Sequence, residues 1–126
     1  MGKKATILIS DISSGKYDHI FKNLYVDDDI IPAEKSRFIQ ALESFISIYG
    51  DLEAEIYSAP GRSEISGNHT DHQRGKVLAT SVNIDAIAVC SPSSDNFVHF
   101  KSEGYTTISV DITNPQTSFH LTQTGL

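Results

Sequence analysis

The clearest pattern of apolar positions lies between residues 31 and 50 and has the period of a helix. Pro32 suits the first helical turn, where a backbone amide has no partner, and Gly50 suits the C-terminal end. The apolar side chains between them recur at about 3.6 residues per turn, which predicts an amphipathic helix whose stripe belongs to the core. The stripe consists of Phe38, Ile39, Leu42, Phe45, Ile46 and Tyr49.

The segment before this helix has a less decisive pattern. Residues Ala5–Ile12 are compatible with either a short strand or the start of a helix. The run Ser13–Gly15 interrupts them, and Ser14 is a suitable N-cap for a second helix over Lys16–Tyr25. The side chains expected on one face of that helix are Ile20, Phe21 and Leu24.

Three adjacent carboxylates, Asp27–Asp29, precede the long helix. Three carboxylates in a row are able to bind a cation. A solvated turn is the preferred interpretation, because negative charge also stabilises the positive N-terminal end of the helix that follows.

From Ala54 onward the pattern changes to the alternation typical of strands. Strands are expected to begin at Ile56, to occupy Val77–Ala79 and then to occupy Ile84–Ser91. Helices followed by an antiparallel meander predict an α+β domain with a mixed, mostly antiparallel sheet and packed helices. Two further strands are predicted at Phe97–Phe100 and around Ile108, Val110 and Ile112.

The composition of the 126 residues is ordinary for a globular domain, with 39% hydrophobic and 21% charged residues. The net charge of −6 and the lack of a basic stripe argue against a nucleic-acid-binding protein. No apolar run approaches the roughly 20 residues of a membrane span, and no basic, apolar leader precedes the first elements, so we expect a cytoplasmic protein without a membrane partner. Cys90 is the one cysteine, which excludes an internal disulfide, and its apolar neighbours predict a small buried core side chain.

The stretch with the most chemistry lies between predicted strands and reads APGRSEISGNHTDH, from Ala59 to His72. A polar connection between apolar strands is a common place for binding and catalytic groups. Pro60-Gly61 is a turn signal, and Gly67 permits a positive φ angle. A cation, an amide, an imidazole and a carboxylate are then available to hydrogen-bond a small polar ligand. They are Arg62, Asn68, His69 and Asp71.

At these residues the chain resembles the galactokinases, which belong to the GHMP family of sugar and metabolite kinases. Ala59–Arg62 and Gly67–Asp71 are similar to the galactokinase signature APGRxNLIGEHTDY. The similarity continues through Val77–Ala79 and Val82–Asp85, where the family has a VLP-x-AID stretch, and ends near Ser91. The resemblance implies a GHMP kinase N-terminal domain whose fold is like the second domain of ribosomal protein S5.

The resemblance also implies roles for four residues. Arg62 is implied to be catalytic, since a permanently charged, planar guanidinium can stabilise a phosphoryl group in transfer. Asn68, His69 and Asp71 are implied to bind the hydroxyl groups of the sugar. The family has glutamate at the position of Asn68 and tyrosine at that of His72, so the expected ligand is galactose or a related hexose.

Other interpretations of the stretch remain open from the residues alone. Arg62 can be a structural arginine that holds the turn. His69, Asp71 and His72 are chemically able to ligate zinc, as in a metal-dependent hydrolase, although groups so close in sequence rarely converge on one ion. Asp71 can instead cap a backbone amide in a turn held by local hydrogen bonds. We expect no metal site.

GHMP kinases carry a second loop, rich in glycine and serine (GLSSSA-like), that cradles the phosphates of ATP, and a catalytic aspartate follows it. The sequence contains no such loop. Residues 53–126 are therefore expected to form the start of the GHMP kinase domain, truncated before the ATP-binding loop. Residues 1–52 are expected to form an N-terminal helical segment.

The reaction implied for the full-length protein is phosphoryl transfer from MgATP to the C1 hydroxyl of galactose. ATP and Mg²⁺ are its implied cofactors, and a small-molecule sugar is its implied partner. The 126-residue chain alone is expected to be inactive and to bind no cofactor. The alternative is a non-catalytic galactokinase-like protein that senses or binds sugar, which the uncharged Asn68 favours.

Overall fold

The computed structural model describes residues 2–67 and 74–113. The described part of the chain divides into two compact units, one that ends at Ser91 and one that begins at Pro92. Among the described residues, three helices lie in the first unit, and strands occur in both units. The elements are β1 (Lys3–Lys4), α1 (Ala5–Ser13), α2 (Asp18–Tyr25), α3 (Ile31–Tyr49), β2 (Glu53–Ser66), β3 (Leu78–Cys90), β4 (Phe97–Phe100) and β5 (Ile108–Asp111).

The N-terminal segment adopts the helical alternative, after a two-residue strand that pairs with the beginning of β2. The amide of Ala5 donates to the carbonyl of Leu52 at 3.0 Å. The Asp51 carboxylate accepts both the amide and the hydroxyl of Thr6, each at 3.0 Å. These bonds satisfy donors that the first turn of any helix leaves without helical partners, so α1 is fixed at its start by the chain that follows α3.

Ser14 ends α1 instead of beginning α2, so its predicted role as an N-cap is wrong. Its hydroxyl bonds backward to the carbonyl of Asp11 at 3.0 Å. Gly15 follows with a φ angle of 82°, a left-handed conformation that breaks the helix. α2 then begins at Asp18, two residues later than predicted from Lys16.

The buried face of α2 differs from the predicted one. Phe21 and Tyr25 are buried, whereas Ile20 and Leu24 are exposed. The ring of Phe21 packs edge-on against Phe38 of α3, with ring centroids 5.0 Å apart. The aromatic side chains orient α2, because each of them buries a large apolar area and gains from edge-to-face packing.

α3 carries the predicted core stripe. Pro32 lies in its first turn, and Gly50 is its C-cap with a φ angle of 86°. All six stripe residues are buried or half-buried, and Leu42 is 0% exposed. In the part of the chain that the structure describes, no helix is long and apolar enough to cross a membrane. The core consists of Ala5, Ile12, Phe21, Tyr25, Ile31, Phe38, Leu42, Phe45 and Ala54.

The turn before α3 agrees with its prediction. Asp27–Asp29 are exposed, and Lys22 pairs with Asp28 at 3.2 Å. The amide of Asp29 donates to the carboxylate of Asp27 at 3.0 Å. Across residues 2–67 and 74–113, no group of three His, Cys, Asp or Glu side chains is placed to hold a metal ion.

β2 and β3 form a long antiparallel hairpin whose inner face packs against the helices. The predicted strands Val77–Ala79 and Ile84–Ser91 are parts of the single strand β3, which begins at residue 78. Residues directly opposite each other share a face of the sheet. Half-buried Ile56 and Val89 face the core, and Tyr57 faces away from it. Helices on antiparallel strands confirm the mixed α+β prediction.

Cys90 lies on the outer face of the hairpin, opposite Glu55, and is exposed. The expectation of a buried core cysteine is therefore wrong. The cause is the two-residue period of a strand: Val89 packs against the core, so its neighbour faces the other way. The apolar run before Ser91 supplies only alternate residues to the core.

Pro60 and Gly61 lie inside β2, so their interpretation as a turn is wrong. Pro60 is opposite Asp85, and Arg62 is opposite Ser81. Between these pairs β2 has one residue and β3 has three, which makes the site a bulge. A bulge is one of the few positions in a sheet where proline is tolerated, because the regular ladder of hydrogen bonds is already interrupted there.

The second unit contains an antiparallel hairpin of β4 and β5, at the two positions predicted for strands. His99 on β4 is within hydrogen-bond distance of two partners through its two ring nitrogens. Nδ1 lies 2.8 Å from the Ser109 hydroxyl, and Nε2 lies 3.0 Å from the Asp95 carboxylate. His99 is therefore a structural histidine that ties the strands to the preceding turn.

Candidate functional site

Arg62 lies on β2 opposite Ser81, in the half of the hairpin beyond the bulge. Its side chain is 70% exposed. One guanidinium nitrogen donates to the carboxylate of Glu64 at 3.0 Å, two residues along the same strand. An exposed ion pair of this kind contributes about 1 kcal/mol at most, so Arg62 remains available to an anionic or hydroxylated ligand.

The other three predicted site residues, Asn68, His69 and Asp71, lie outside the described residues. Their convergence with one another and with Arg62 stays a prediction. The alternative zinc site lies outside the described residues as well, since it uses His69, Asp71 and His72.

Gly67 is the last described residue before that segment. Its φ angle is 90°, which confirms the predicted positive φ. A Cβ atom at this position would collide with the carbonyl oxygen of Lys76 on the returning chain. Two independent constraints, the backbone conformation and the close approach of the two chains, therefore require glycine where β2 ends.

Asp85 is the centre of a partly buried polar cluster closer to the helices. Its side chain is 5% exposed. The carboxylate accepts from Arg37 Nη2 at 2.6 Å, from the Tyr25 hydroxyl at 2.9 Å and from the Ser58 hydroxyl at 2.5 Å. Arg37 also donates to the Asp85 carbonyl at 2.9 Å and pairs with Glu34 at 2.5 Å. We call Tyr25, Arg37, Ser58 and Asp85 the Asp85 hub.

The charges of the hub are mutually stabilised. Burial raises the pKa of the Asp85 carboxyl, but the bonds from Ser58, Arg37 and Tyr25 outweigh it and hold that pKa below its usual value. Burial and the bond to Asp85 raise the pKa of the Tyr25 hydroxyl, which therefore stays protonated and donates. Burial lowers the pKa of Arg37, but the Asp85 carboxylate reverses this and the pKa is raised.

Sequence reasoning missed this hub. Arg37 lies 48 residues from Asp85 and Tyr25 lies 60 residues from it, so no local pattern connects them. One signal was present: Asp85 interrupts an apolar strand between Ile84 and Ala86. A carboxylate on a half-buried strand needs a partner, because an unpaired buried charge is strongly unfavourable.

Residues 43–92, which include the hairpin of β2 and β3, match the family described as the galactokinase galactose-binding signature. The chain carries the galactokinase signature. The match includes β2, β3, the Asp85–Ser58 contact and all four predicted site residues. The resemblance to galactokinases is therefore confirmed.

Curated galactokinases agree with this match. The galactokinase of Lactococcus lactis subsp. cremoris is 33% identical over 82 residues, which cover 64% of this chain and 21% of the relative. The galactokinase of Lactococcus lactis subsp. lactis has the same identity and coverage. The galactokinase of Candida parapsilosis is 30% identical over 67 residues, which cover 52% of this chain and 13% of the relative.

The matched part of the chain spans about a fifth of the length of the two lactococcal relatives. No solved structure matches the chain.

Proposed function

We propose that this chain is the N-terminal, sugar-binding part of a galactokinase-like, ATP-dependent sugar kinase. The observation that carries the proposal is the galactose-binding signature over residues 43–92. The full-length protein would transfer a phosphoryl group from MgATP to the C1 hydroxyl of galactose. Residues 53–126 would begin the GHMP kinase domain, with the fold of the second domain of ribosomal protein S5, and residues 1–52 would precede it as a helical segment.

Arg62 is the proposed catalytic residue, and its placement supports this role. The guanidinium is exposed on a strand of the hairpin, and its hydrogen bond to Glu64, within the described residues, uses a single nitrogen. Arginine has five N–H donors, so the others are available for a phosphoryl or hydroxyl oxygen. Asn68, His69 and Asp71 are the proposed sugar-binding residues, since an amide, an imidazole and a carboxylate offer both donors and acceptors to sugar hydroxyls.

ATP and Mg²⁺ fit the described residues poorly. Magnesium prefers carboxylate oxygens, and across residues 2–67 and 74–113 no group of three acidic or imidazole side chains is placed around a common point. The sequence also lacks a glycine- and serine-rich loop to cradle phosphates. We therefore assign the nucleotide and the metal to the full-length protein.

The sugar-binding proposal is tested by titrating the ¹⁵N-labelled 126-residue chain with galactose. We expect saturable amide shifts in β2 around Arg62, and smaller shifts with glucose, which differs from galactose only at C4. Asp71→Ala is expected to remove the shifts, whereas Asp29→Ala, a carboxylate change on an exposed turn, is expected to preserve them. If no hexose gives saturable shifts, this chain does not bind sugar by itself and the proposal fails.

A further inference from the structure

The two halves of the hairpin of β2 and β3 differ in whether they pack against the core. Near the helices, apolar side chains of its inner face, including Ala54, Ile56, Ile87 and Val89, pack into or against the core. The next inward-facing positions towards the signature are the polar residues of the Asp85 hub on the two strands. Beyond them lies the distal hairpin, residues 60–66 and 78–84, where no residue belongs to the described core or packs against it.

The hub is the point at which the helices hold the hairpin just before this distal part. Tyr25 comes from α2, Arg37 from α3 and Ser58 from β2, and all three bond to one carboxylate on β3. Arg37 also bonds the backbone carbonyl of Asp85, so it fixes the strand itself as well as the side chain.

The bulge follows immediately. Asp85 is opposite Pro60, and the next residue pair, Arg62 with Ser81, lies on the far side of the bulge. The direction in which the distal hairpin leaves the core therefore depends on where the strand is held at Asp85. A displacement of β3 at this point would move Arg62 with it.

Stability alone does not account for a network of this kind, in which the Asp85 side chain is 5% exposed and its ion-pair partner Arg37 is partly exposed. Replacing a buried ion pair with apolar side chains of similar volume is often neutral or stabilising. A polar network with every member bonded instead selects one arrangement of the elements that contribute to it, because any other arrangement leaves a buried group unsatisfied. Four elements meet at Asp85, so their relative positions are what the network specifies.

We propose that the Asp85 hub is a positioning device that holds the distal hairpin, and with it Arg62, in the orientation used for sugar binding. The inference rests on the proposed sugar-binding function. None of the hub residues needs to touch the ligand. They act through the strands, by fixing where the hairpin leaves the core.

The test uses the 126-residue chain and four variants. Arg37→Gln and Tyr25→Phe remove hub bonds without adding bulk, and Arg37→Lys keeps the charge and one donor group. Lys35→Gln is the matched control, because Lys35 lies on the same helix and pairs at 2.7 Å with Asp18 of α2. Galactose affinity and amide hydrogen exchange are measured under conditions in which circular dichroism shows that each variant is fully folded.

We expect Arg37→Gln and Tyr25→Phe to weaken galactose binding by about 2- to 30-fold. Amide exchange is expected to accelerate in the distal hairpin more than in α3. Arg37→Lys should recover part of the affinity, and Lys35→Gln should leave both measurements at the parent values. The proposal would be overturned if Arg37→Gln and Tyr25→Phe both bound galactose with the affinity of the parent chain and exchanged their amide hydrogens at its rates.

The two proposals fail in different ways. If the parent chain does not bind galactose, the sugar-binding function fails, and hydrogen exchange alone then decides the role of the hub. Acceleration confined to the distal hairpin supports positioning. Equal acceleration in α3 and the hairpin overturns it, because that result reports a loss of global stability instead.

Discussion

A Cβ atom added to Gly61 would lie 3.1 Å from Cγ2 of Val82 and 3.2 Å from the carbonyl oxygen of Ile84. Glycine at position 61 therefore permits the close approach of β2 and β3 at the bulge. Gly61→Ala is expected to destabilise the chain by about 1–3 kcal/mol, since the added methyl group overpacks the site. Urea unfolding measures this, with Ser63→Ala on the exposed face of the same strand as the control. Equal stabilities of the two variants would show that the bulge has room for a side chain.

Leu42 is the most completely buried large side chain of the core, at 0% exposure. Leu42→Ala is expected to lower the free energy of unfolding by about 2–5 kcal/mol, because it removes buried apolar contacts and leaves a cavity. Ile48 lies on the same helix and is 48% exposed, so Ile48→Ala is the matched control and should cost less than about 1 kcal/mol. A chemical melt compares the two. A loss below about 0.5 kcal/mol for Leu42→Ala would contradict the assignment of the stripe to the core.

The stability of the chain should fall in acid partly because of Asp85. Its pKa is lower in the folded chain than in the unfolded one, so the unfolded state takes up a proton first as the pH falls. The contribution of Asp85 is therefore present above its unfolded pKa of about 3.9 and is lost as the pH falls through its folded pKa. Asp85→Asn is expected to be less stable near neutral pH and to lose less stability on acidification.

Urea melts between about pH 6 and pH 2.5 measure this dependence. Some acid sensitivity should persist in the variant, because bonds from Lys3 and Lys16 lower the pKa of Asp11 to about 2. Asp29→Asn, on the exposed turn, is expected to follow the parent. A parent-like pH dependence in Asp85→Asn would mean that the hub carboxylate is not stabilised in its charged form.

In the full-length protein, Asp71→Ala should damage sugar binding more than Asn68→Ala does. A carboxylate that accepts from hydroxyl groups makes charge-assisted bonds of roughly 1.5–3 kcal/mol, against about 0.5–1.5 kcal/mol for a neutral amide. Asn68→Glu, which restores the family residue, should keep or improve galactose use and weaken use of another hexose. Steady-state kinetics across a panel of hexoses measures both effects.

Arg62→Ala should behave differently from the sugar-binding variants. We expect kcat to fall by about 100-fold or more while KM changes less, because the interaction strengthens as charge develops on the phosphoryl group. The same kinetic measurements test it, with Ser63→Ala as the neighbouring control. If kcat and KM are unchanged in Arg62→Ala and Asp71→Ala for every sugar, this stretch is structural.

The 126-residue chain is expected to have no kinase activity of its own. A phosphate-cradling loop and a catalytic aspartate supply much of the electrostatic stabilisation in phosphoryl transfer, and the sequence lacks the loop. Incubation with MgATP and galactose, followed by ADP detection, measures this, with a complete galactokinase as the positive control. Sustained, galactose-dependent ADP release above background would contradict the prediction. In the full-length protein the same assay separates a kinase from a non-catalytic sugar sensor.

Some features were predictable because their cause is local. The stripe of α3 could be predicted locally, since the helical periodicity and Pro32 lie within its nineteen residues and Gly50 follows them directly. The positive φ angle of Gly67 followed from the same kind of reasoning, because glycine alone adopts it without steric cost.

Errors arose where two local signals competed. Pro60-Gly61 is usually a turn, but the sheet continues through it by forming a bulge against β3. Cys90 lies in an apolar run, but only one face of its strand meets the helices. The pairing of β2 with β3 decided the first case, and the packing of the helices on one face of the hairpin decided the second.

The sequence by itself determined the α+β class, the long helix and the galactokinase signature, because each follows from residues that are close together in the sequence. Only the tertiary structure decided that Tyr25, Arg37 and Ser58 converge on Asp85, and that Arg62 lies exposed on a strand beyond that point. The reason is physical. Periodicity and turn chemistry act over a few residues, whereas the burial of a charge depends on which distant groups the packing of helices against the hairpin brings within hydrogen-bond distance.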